Sequence, residues 1–153
     1  MRKLVILEKE EEASLISLND ESSFNSLSED LLKELLAVLK EAEKDVSTKA
    51  LINRGIGRGF SAGHNLKEVQ GNQDESFYRN LMALSKKVMT TLPNLNKPVI
   101  AEVHGVATAA GCQLVAACDL AYADNETKFA TPGVNIGLFC HTPLVPVSRT
   151  IAK

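Results

Sequence analysis

No apolar run in the 153-residue chain approaches the ~18 residues that a membrane-spanning helix needs. An excess of one charge is also missing: 17 Lys and Arg stand against 19 Asp and Glu, a net charge of −2. No basic field therefore points to nucleic acid or an acidic membrane surface as a partner. Cysteine is sparse and odd in number. Cys112, Cys118 and Cys140 form no C-x-x-C pair, which reads as reduced thiols in an intracellular protein, each a small buried hydrophobe. His64, His104 and His141 lack ligand spacing such as H-E-x-x-H, so no metal is expected. Gly55, Gly57 and Gly59 give G-x-G-x-G rather than G-x-G-x-x-G, and no P-loop Lys-Ser/Thr follows, so no nucleotide cofactor is expected. The N-terminus offers only Leu4–Leu7 before the acidic Glu8-Lys9-Glu10-Glu11-Glu12. That is too short for a signal peptide, and the acidic flank argues against an organelle transit peptide. The expectation is a cytoplasmic protein, or one of the mitochondrial matrix if a transit peptide has been removed.

What is present is an ordinary globular composition, 44% hydrophobic and 24% charged, over one domain's length, 1–153. Leu4–Leu7 and Ala13–Leu18 predict a hairpin. Ser26 and Glu29 have capping-box spacing. Leu31, Leu32, Leu35, Leu36 and Leu39 follow helical period, which predicts an amphipathic helix over 28–45. Lys49–Asn53 reads as a strand, with Asn53 an odd polar residue at its end. Phe77, Leu81, Leu84, Val88 and Leu92 make one face of a helix ending before Pro93. Val99–Val103 and Asp119–Ala123 read as strands, Cys112–Ala117 as a helix, and 137–142 as irregular. Pro143–Ile151 begins another helix. No internal repeat is visible. The alternation of strand and helix predicts an α/β fold.

Two stretches are rich in small residues, and both follow strands. Gly55, Gly57, Gly59 and Gly63 fall within nine residues, ahead of a helix start at Leu66-Lys67-Glu68. Gly105-Val106-Ala107-Thr108-Ala109-Ala110-Gly111 is the second. Such turns allow positive φ and close backbone approach, and they present N–H groups to negative charge. Two of them supply the paired donors that a developing oxyanion needs. Spacing alone reads equally well as close packing of helix on strand.

The residues of these stretches carry a resemblance. Phe60-Ser61-Ala62-Gly63-His64-Asn65-Leu66-Lys67-Glu68 resembles the F-x-A-G-x-D-L-K-E segment of the enoyl-CoA hydratase/isomerase (crotonase) family. Asn96-Lys97-Pro98-Val99-Ile100-Ala101-Glu102-Val103-His104-Gly105 is similar to its K-P-x-I-A-A-V-x-G strand. Ala109-Ala110-Gly111-Cys112-Gln113-Leu114, with Cys118-Asp119-Leu120, resembles its G-G-G-x-E-L…C-D. Phe24-Asn25-Ser26-Leu27 fits its N-A-L element. The resemblance implies a crotonase-like spiral of ββα units and an acyl-CoA thioester as substrate or ligand. It implies that the backbone N–H groups of His64 and Ala110 receive the thioester carbonyl oxygen. It sets the backbone of Ala62 and the run His64, Asn65, Leu66 and Lys67 against coenzyme A. The His64 imidazole then needs no role of its own.

The departures from the family pattern are as informative. The hydratases use two glutamates, and Gln113 and Gly133 stand in their places. An amide exchanges no proton near neutral pH and glycine has no side chain, so efficient two-glutamate hydration is not expected. Glu at both positions is expected to restore hydration if only the acid–base pair is missing. Asn65 replaces the usual Asp, and Ser22 stands where many members carry a phosphate-contacting Lys. Glu102 reads as an outward-facing strand residue, and His141 as a remaining acid–base candidate. Family members continue through helices that cover the acyl pocket and build a homotrimer or hexamer. Against them the chain reads as C-terminally truncated, stopping at Lys153 inside a helix, with apolar surface exposed where those helices dock. A non-catalytic acyl-CoA-binding or regulatory protein is the alternative. A remote one is a serine hydrolase, since Gly59-Phe60-Ser61-Ala62-Gly63 matches G-x-S-x-G, and Asp119 and His141 follow in order.

Overall fold

In the computed structural model, residues 2–151 are described. The first two strands, β1 (Val5–Glu10) and β2 (Ala13–Leu18), form the expected hairpin, with Val5 opposite Leu18 and Glu10 opposite Ala13. Every later pairing is parallel, because helices carry the chain back each time. β3 (Ala50–Gly55), β4 (Val99–Val103) and β6 (Leu120–Ala123) extend the sheet in the order β1-β2-β3-β4-β6. The helices are α1 (Glu29–Lys44), α2 (Leu66–Gly71), α3 (Glu75–Thr91), α4 (Ala110–Ala116) and α5 (His141–Thr150). α5 ends at Thr150, and the expected break at Lys153 lies outside the described residues.

The sequence hides a second ladder. Two three-residue strands, β5 (Val106–Thr108) and β7 (Lys128–Ala130), pair in parallel. Ser61 bridges to Ala107, and Leu27 bridges to His64. The Ser61 bridge ties the glycine-rich loop to this short ladder. β4-β5-α4 and β6-β7-α5 are successive ββα turns, with β4 against β6 and β5 against β7. The fold repeats although the sequence does not. Three residues of strand are too short for a period-2 pattern to register.

The core forms where the periodicity predicts. Leu31, Leu32, Leu35, Leu36 and Leu39 of α1 are all buried, as are Leu81 and Val88 of α3. Phe77 and Leu84 pack half-buried at its edge. The cap of α1 differs from expectation. Ser28, not Ser26, is the N-cap, and its hydroxyl accepts from the Leu31 N–H at 3.2 Å. Phe24 and Asn25 take left-handed conformations (φ 55° and 52°), which turn Ser26 inward and start the helix two residues later. The Ser26 hydroxyl is buried without a partner among the described residues. Ser28→Ala is expected to lower stability by about 1 kcal/mol. Ser26→Ala is expected to be neutral or stabilising. Urea unfolding midpoints of the two variants check both.

Asn53 is fully buried on β3 beside the Cys118 thiol, its amide unpaired among the described residues. Of the three thiols only Cys112 is a buried residue, while Cys118 and Cys140 are partly exposed. The Cys118 sulfur nevertheless turns inward and donates to the Leu114 carbonyl. Burial first, and then the Asp119 charge, push its pKa up from 9.0 to about 12. The folded state thus holds this proton more tightly than the unfolded chain. The associated stability is complete below pH about 9 and is lost as pH rises towards 12. Cys118→Ala is expected to flatten this alkaline decline, read as urea midpoints at pH 8 and pH 10.

Leu120, Tyr122, Phe129, Leu138, Phe139 and Val145, on β6, β7 and the approach to and start of α5, are all about half-exposed or more. The expected apolar surface is therefore present in the C-terminal third.

Candidate oxyanion site

β3 delivers the glycine-rich loop, and buried side chains pin it. Asn25 is the main tie. Its Oδ1 accepts from Asp20 N–H at 2.8 Å, and its Nδ2 donates to the carbonyls of Ile56 and Gly59, each at 2.9 Å. Asn tolerates the left-handed backbone this requires. Phe60 fills the core behind the loop, fully buried. Ser61 N–H donates to the Val106 carbonyl at 3.1 Å, and Thr108 N–H donates to the Ser61 carbonyl at 3.0 Å.

Two glycines press the loop against the start of α4. Gly63 has φ +89°, and a Cβ there would lie 2.9 Å from the Thr108 carbonyl oxygen and 3.0 Å from the Ala110 nitrogen. A Cβ on Gly111 would lie 2.3 Å from the Ser61 carbonyl oxygen. Neither position has room for a side chain. Ala109 takes φ 50° and ψ −121°, an unusual backbone for a residue with a Cβ, while its N–H donates to the Ala130 carbonyl at 2.9 Å. This turn starts α4 at Ala110, two residues before the Cys112 that the sequence suggests. Among the described residues, neither the His64 N–H nor the Ala110 N–H donates to a protein acceptor.

The other expected contact residues lie on the loop before α2 and in its first turn, Ala62 to Lys67. Ala62 N–H donates to the Phe24 carbonyl at 2.9 Å, and its carbonyl accepts from the Thr108 hydroxyl at 3.1 Å, leaving one lone pair. The Asn65 side chain caps α2, accepting from the N–H groups of Lys67 and Glu68. That use needs an oxygen acceptor, which Asn supplies as Asp does. Leu66 and Lys67 are exposed. Ser22 donates to the Asp20 carboxylate at 2.8 Å.

His64 is held by its ring, and the peptide before it by the Gly63 carbonyl, which accepts from the Leu27 N–H at 2.8 Å. Nδ1 lies 3.4 Å from the Leu27 carbonyl oxygen, and Nε2 lies 3.4 Å from the Ser85 hydroxyl on α3. Burial pushes the imidazole pKa below its ordinary value, which keeps the ring neutral at neutral pH. Sequence reasoning missed Ser85. The available signal was a polar residue between Leu81 and Val88 on an otherwise apolar helix face.

Gln113 sits on α4 with its Oε1 buried and unpaired among the described residues. Gly133 is buried, and a Cβ there would lie 2.6 Å from Cys140 Sγ and 2.7 Å from the Leu138 carbonyl oxygen. This changes the expected effect of reinstating two glutamates, because segment 138–140 occupies the space at Gly133. Gly133→Glu is expected to destabilise by about 1–3 kcal/mol through overpacking and to leave hydration unrestored. Thermal unfolding alongside a hydration assay reads both effects.

The serine-hydrolase constellation is not assembled. Ser61 is fully buried, and its hydroxyl donates to the Asn25 carbonyl at 2.8 Å. Asp119 accepts from the Val99 N–H at 2.8 Å. His141 is exposed at the start of α5, with Nδ1 at 3.3 Å from its neighbour Phe139's carbonyl. A buried serine whose proton is held by a peptide carbonyl has no base to activate it. Glu102 is exposed on β4, as its strand position predicts.

Stacked ββα turns, with two adjacent strand-to-helix turns packed face to face, define the crotonase class of α/β fold. The enoyl-CoA hydratase/isomerase family model matches residues 8–151. Enoyl-CoA hydratase domain-containing protein 3, mitochondrial, of Xenopus laevis is 41% identical over 150 residues, covering 98% of this chain and 51% of that protein. The crystal structure of a Mycobacterium smegmatis enoyl-CoA hydratase superposes with a TM-score of 0.94 at 41% identity, covering 99% of this chain and 60% of that one. The human enoyl-CoA hydratase domain-containing protein 3 structure gives 0.92 at 39%, covering 96% and 58%. The chain belongs to the enoyl-CoA hydratase/isomerase family and spans about half the length of the curated relatives it matches.

Proposed function

We propose that the chain binds an acyl-CoA thioester and receives its carbonyl oxygen between the peptide N–H groups of His64 and Ala110. The observation that carries this reading is the pair of unspent N–H groups on two turns that Gly63 and Gly111 press together. Buried and preorganised, such donors stabilise negative charge on a thioester enolate without reorganising. Coenzyme A would run along Ala62, His64, Asn65, Leu66 and Lys67. Gln113 and Gly133 supply no proton-exchanging group, so efficient two-glutamate hydration is not expected. What remains for this site is slow isomerase, hydrolase or other thioester chemistry in fatty acyl-CoA metabolism. No cofactor beyond the coenzyme A thioester is required.

A second reading is a non-catalytic acyl-CoA-binding protein, favoured by the steric block at Gly133. The assembly the resemblance implies is a homotrimer or hexamer, and the exposed apolar residues of β6 and β7 are surface to be covered in the assembled protein. The location is the cytoplasm, or the mitochondrial matrix after removal of a transit peptide, and relatives named mitochondrial are compatible with the second.

Calorimetric titration with crotonyl-CoA and a saturated acyl-CoA, followed by a turnover assay of the first, tests both readings. Binding of the two esters with slow turnover supports the enzyme, and binding without turnover supports the binding protein. Turnover at hydratase-like rates would overturn the argument from Gln113 and Gly133. Failure to bind any CoA ester would overturn both readings.

A further inference from the structure

We propose that the His64 side chain is a clamp, held between the Leu27 carbonyl and the Ser85 hydroxyl of α3, that fixes the direction of its own backbone N–H. The inference rests on the thioester-binding reading and deepens it. The His64 N–H shares one planar peptide with the Gly63 carbonyl, which accepts from the Leu27 N–H, so its direction has one backbone restraint. Gly63 before it takes φ +89° and donates its N–H to the Ser61 hydroxyl at 3.2 Å. The His64 N–H itself makes no bond among the described residues. The ring adds a second restraint, from the Cα side of the same residue. One neutral tautomer satisfies both contacts: Nδ1–H donates to the Leu27 carbonyl, and bare Nε2 accepts from the Ser85 hydroxyl. Leu27 N–H donates back to the Gly63 carbonyl at 2.8 Å, so ring and backbone grip the same turn. Ser85 is itself buried on the core-facing side of α3. Its hydroxyl therefore connects the donor to a 17-residue helix that carries none of the family's motifs. Ser85 is a positioning residue, acting through its contact with the His64 ring.

The test compares two ligands that differ only at the carbonyl, using the full chain. Butyryl-CoA has the thioester oxygen, and S-butyl-CoA is the thioether without it. The wild type is expected to prefer the thioester and to shift its infrared carbonyl stretch to lower frequency. In Ser85→Ala the preference is expected to fall about 3- to 10-fold, the range for one hydrogen bond. The frequency shift should shrink with it, while affinity for S-butyl-CoA stays within about twofold. His64→Ala should lose at least as much. If the wild type shows no preference, the thioester reading itself fails. If the wild type prefers the thioester and Ser85→Ala keeps both preference and stretch, the clamp is wrong and the thioester reading stands. Equal weakening of both ligands would also overturn the clamp, since it would mark a general packing role.

Discussion

Gly63→Ala is expected to abolish discrimination between an acyl-CoA thioester and its thioether, and to lower stability by about 2–4 kcal/mol. The two effects have one cause. At φ +89° a Cβ is strained in any surroundings, and here it also meets the Thr108 oxygen at 2.9 Å and the Ala110 nitrogen at 3.0 Å. Neither neighbour is the flexible end of a side chain. Both belong to the backbone that sets the second donor. Relief comes only from separating the loop from α4, and that separation parts the two N–H groups. Two neutral hydrogen bonds of about 1 kcal/mol each correspond to a loss of thioester preference of about 10- to 100-fold. Calorimetric titration with butyryl-CoA and S-butyl-CoA measures that loss, and urea unfolding measures the stability. Preserved preference in a destabilised variant would separate the donors from the packing at Gly63.

Gly105→Ala is expected to be the more damaging change for folding, at about 3–5 kcal/mol. Gly105 lies between β4 and β5, with φ +61°. A Cβ there would lie 2.2 Å from the Arg58 carbonyl oxygen and 2.9 Å from the Gly59 Cα. Its carbonyl accepts from Lys128 N–H at 2.8 Å, so displacement also pulls on β7. Gly71 is the matched control, because a Cβ at that position meets nothing within 4 Å. Gly71→Ala, at the end of α2, is expected to stabilise by about 0.4–1 kcal/mol. A similar loss from both substitutions would contradict the crowding argument. Urea unfolding of the pair reads the difference.

The large features were legible because apolar spacing records them. The α1 and α3 stripes follow period 3.6, while the β1–β2 hairpin and the strands β3, β4 and β6 show as short apolar-rich runs between turn or charged residues. β5, β7 and the Ser61 bridge were not legible. Each is too short for periodicity and is defined by parallel partners distant in sequence. The motif positions led to Gly63, His64, Ala110 and Gly111, but not to the reasons they are needed. Crowding at Gly63 and Gly111 depends on Thr108 and Ser61, which no local pattern connects to them. Asn25 was visible only as part of a short element, whereas its side chain bonds three backbone groups and ties the turn at Asp20 to the glycine-rich loop. Gly133 read as the mere loss of a carboxylate. In the fold it is also a position from which Leu138 and Cys140 exclude a side chain.

The central claim concerns where the thioester carbonyl goes. Butyryl-CoA labelled with ¹³C at its carbonyl carbon, bound to the full chain, tests this most directly by NMR. Two N–H donors polarise the carbonyl, so the account predicts that its resonance moves downfield on binding and returns towards the free position in Gly63→Ala. A bound ligand whose carbonyl resonance stays at its free position would contradict the account.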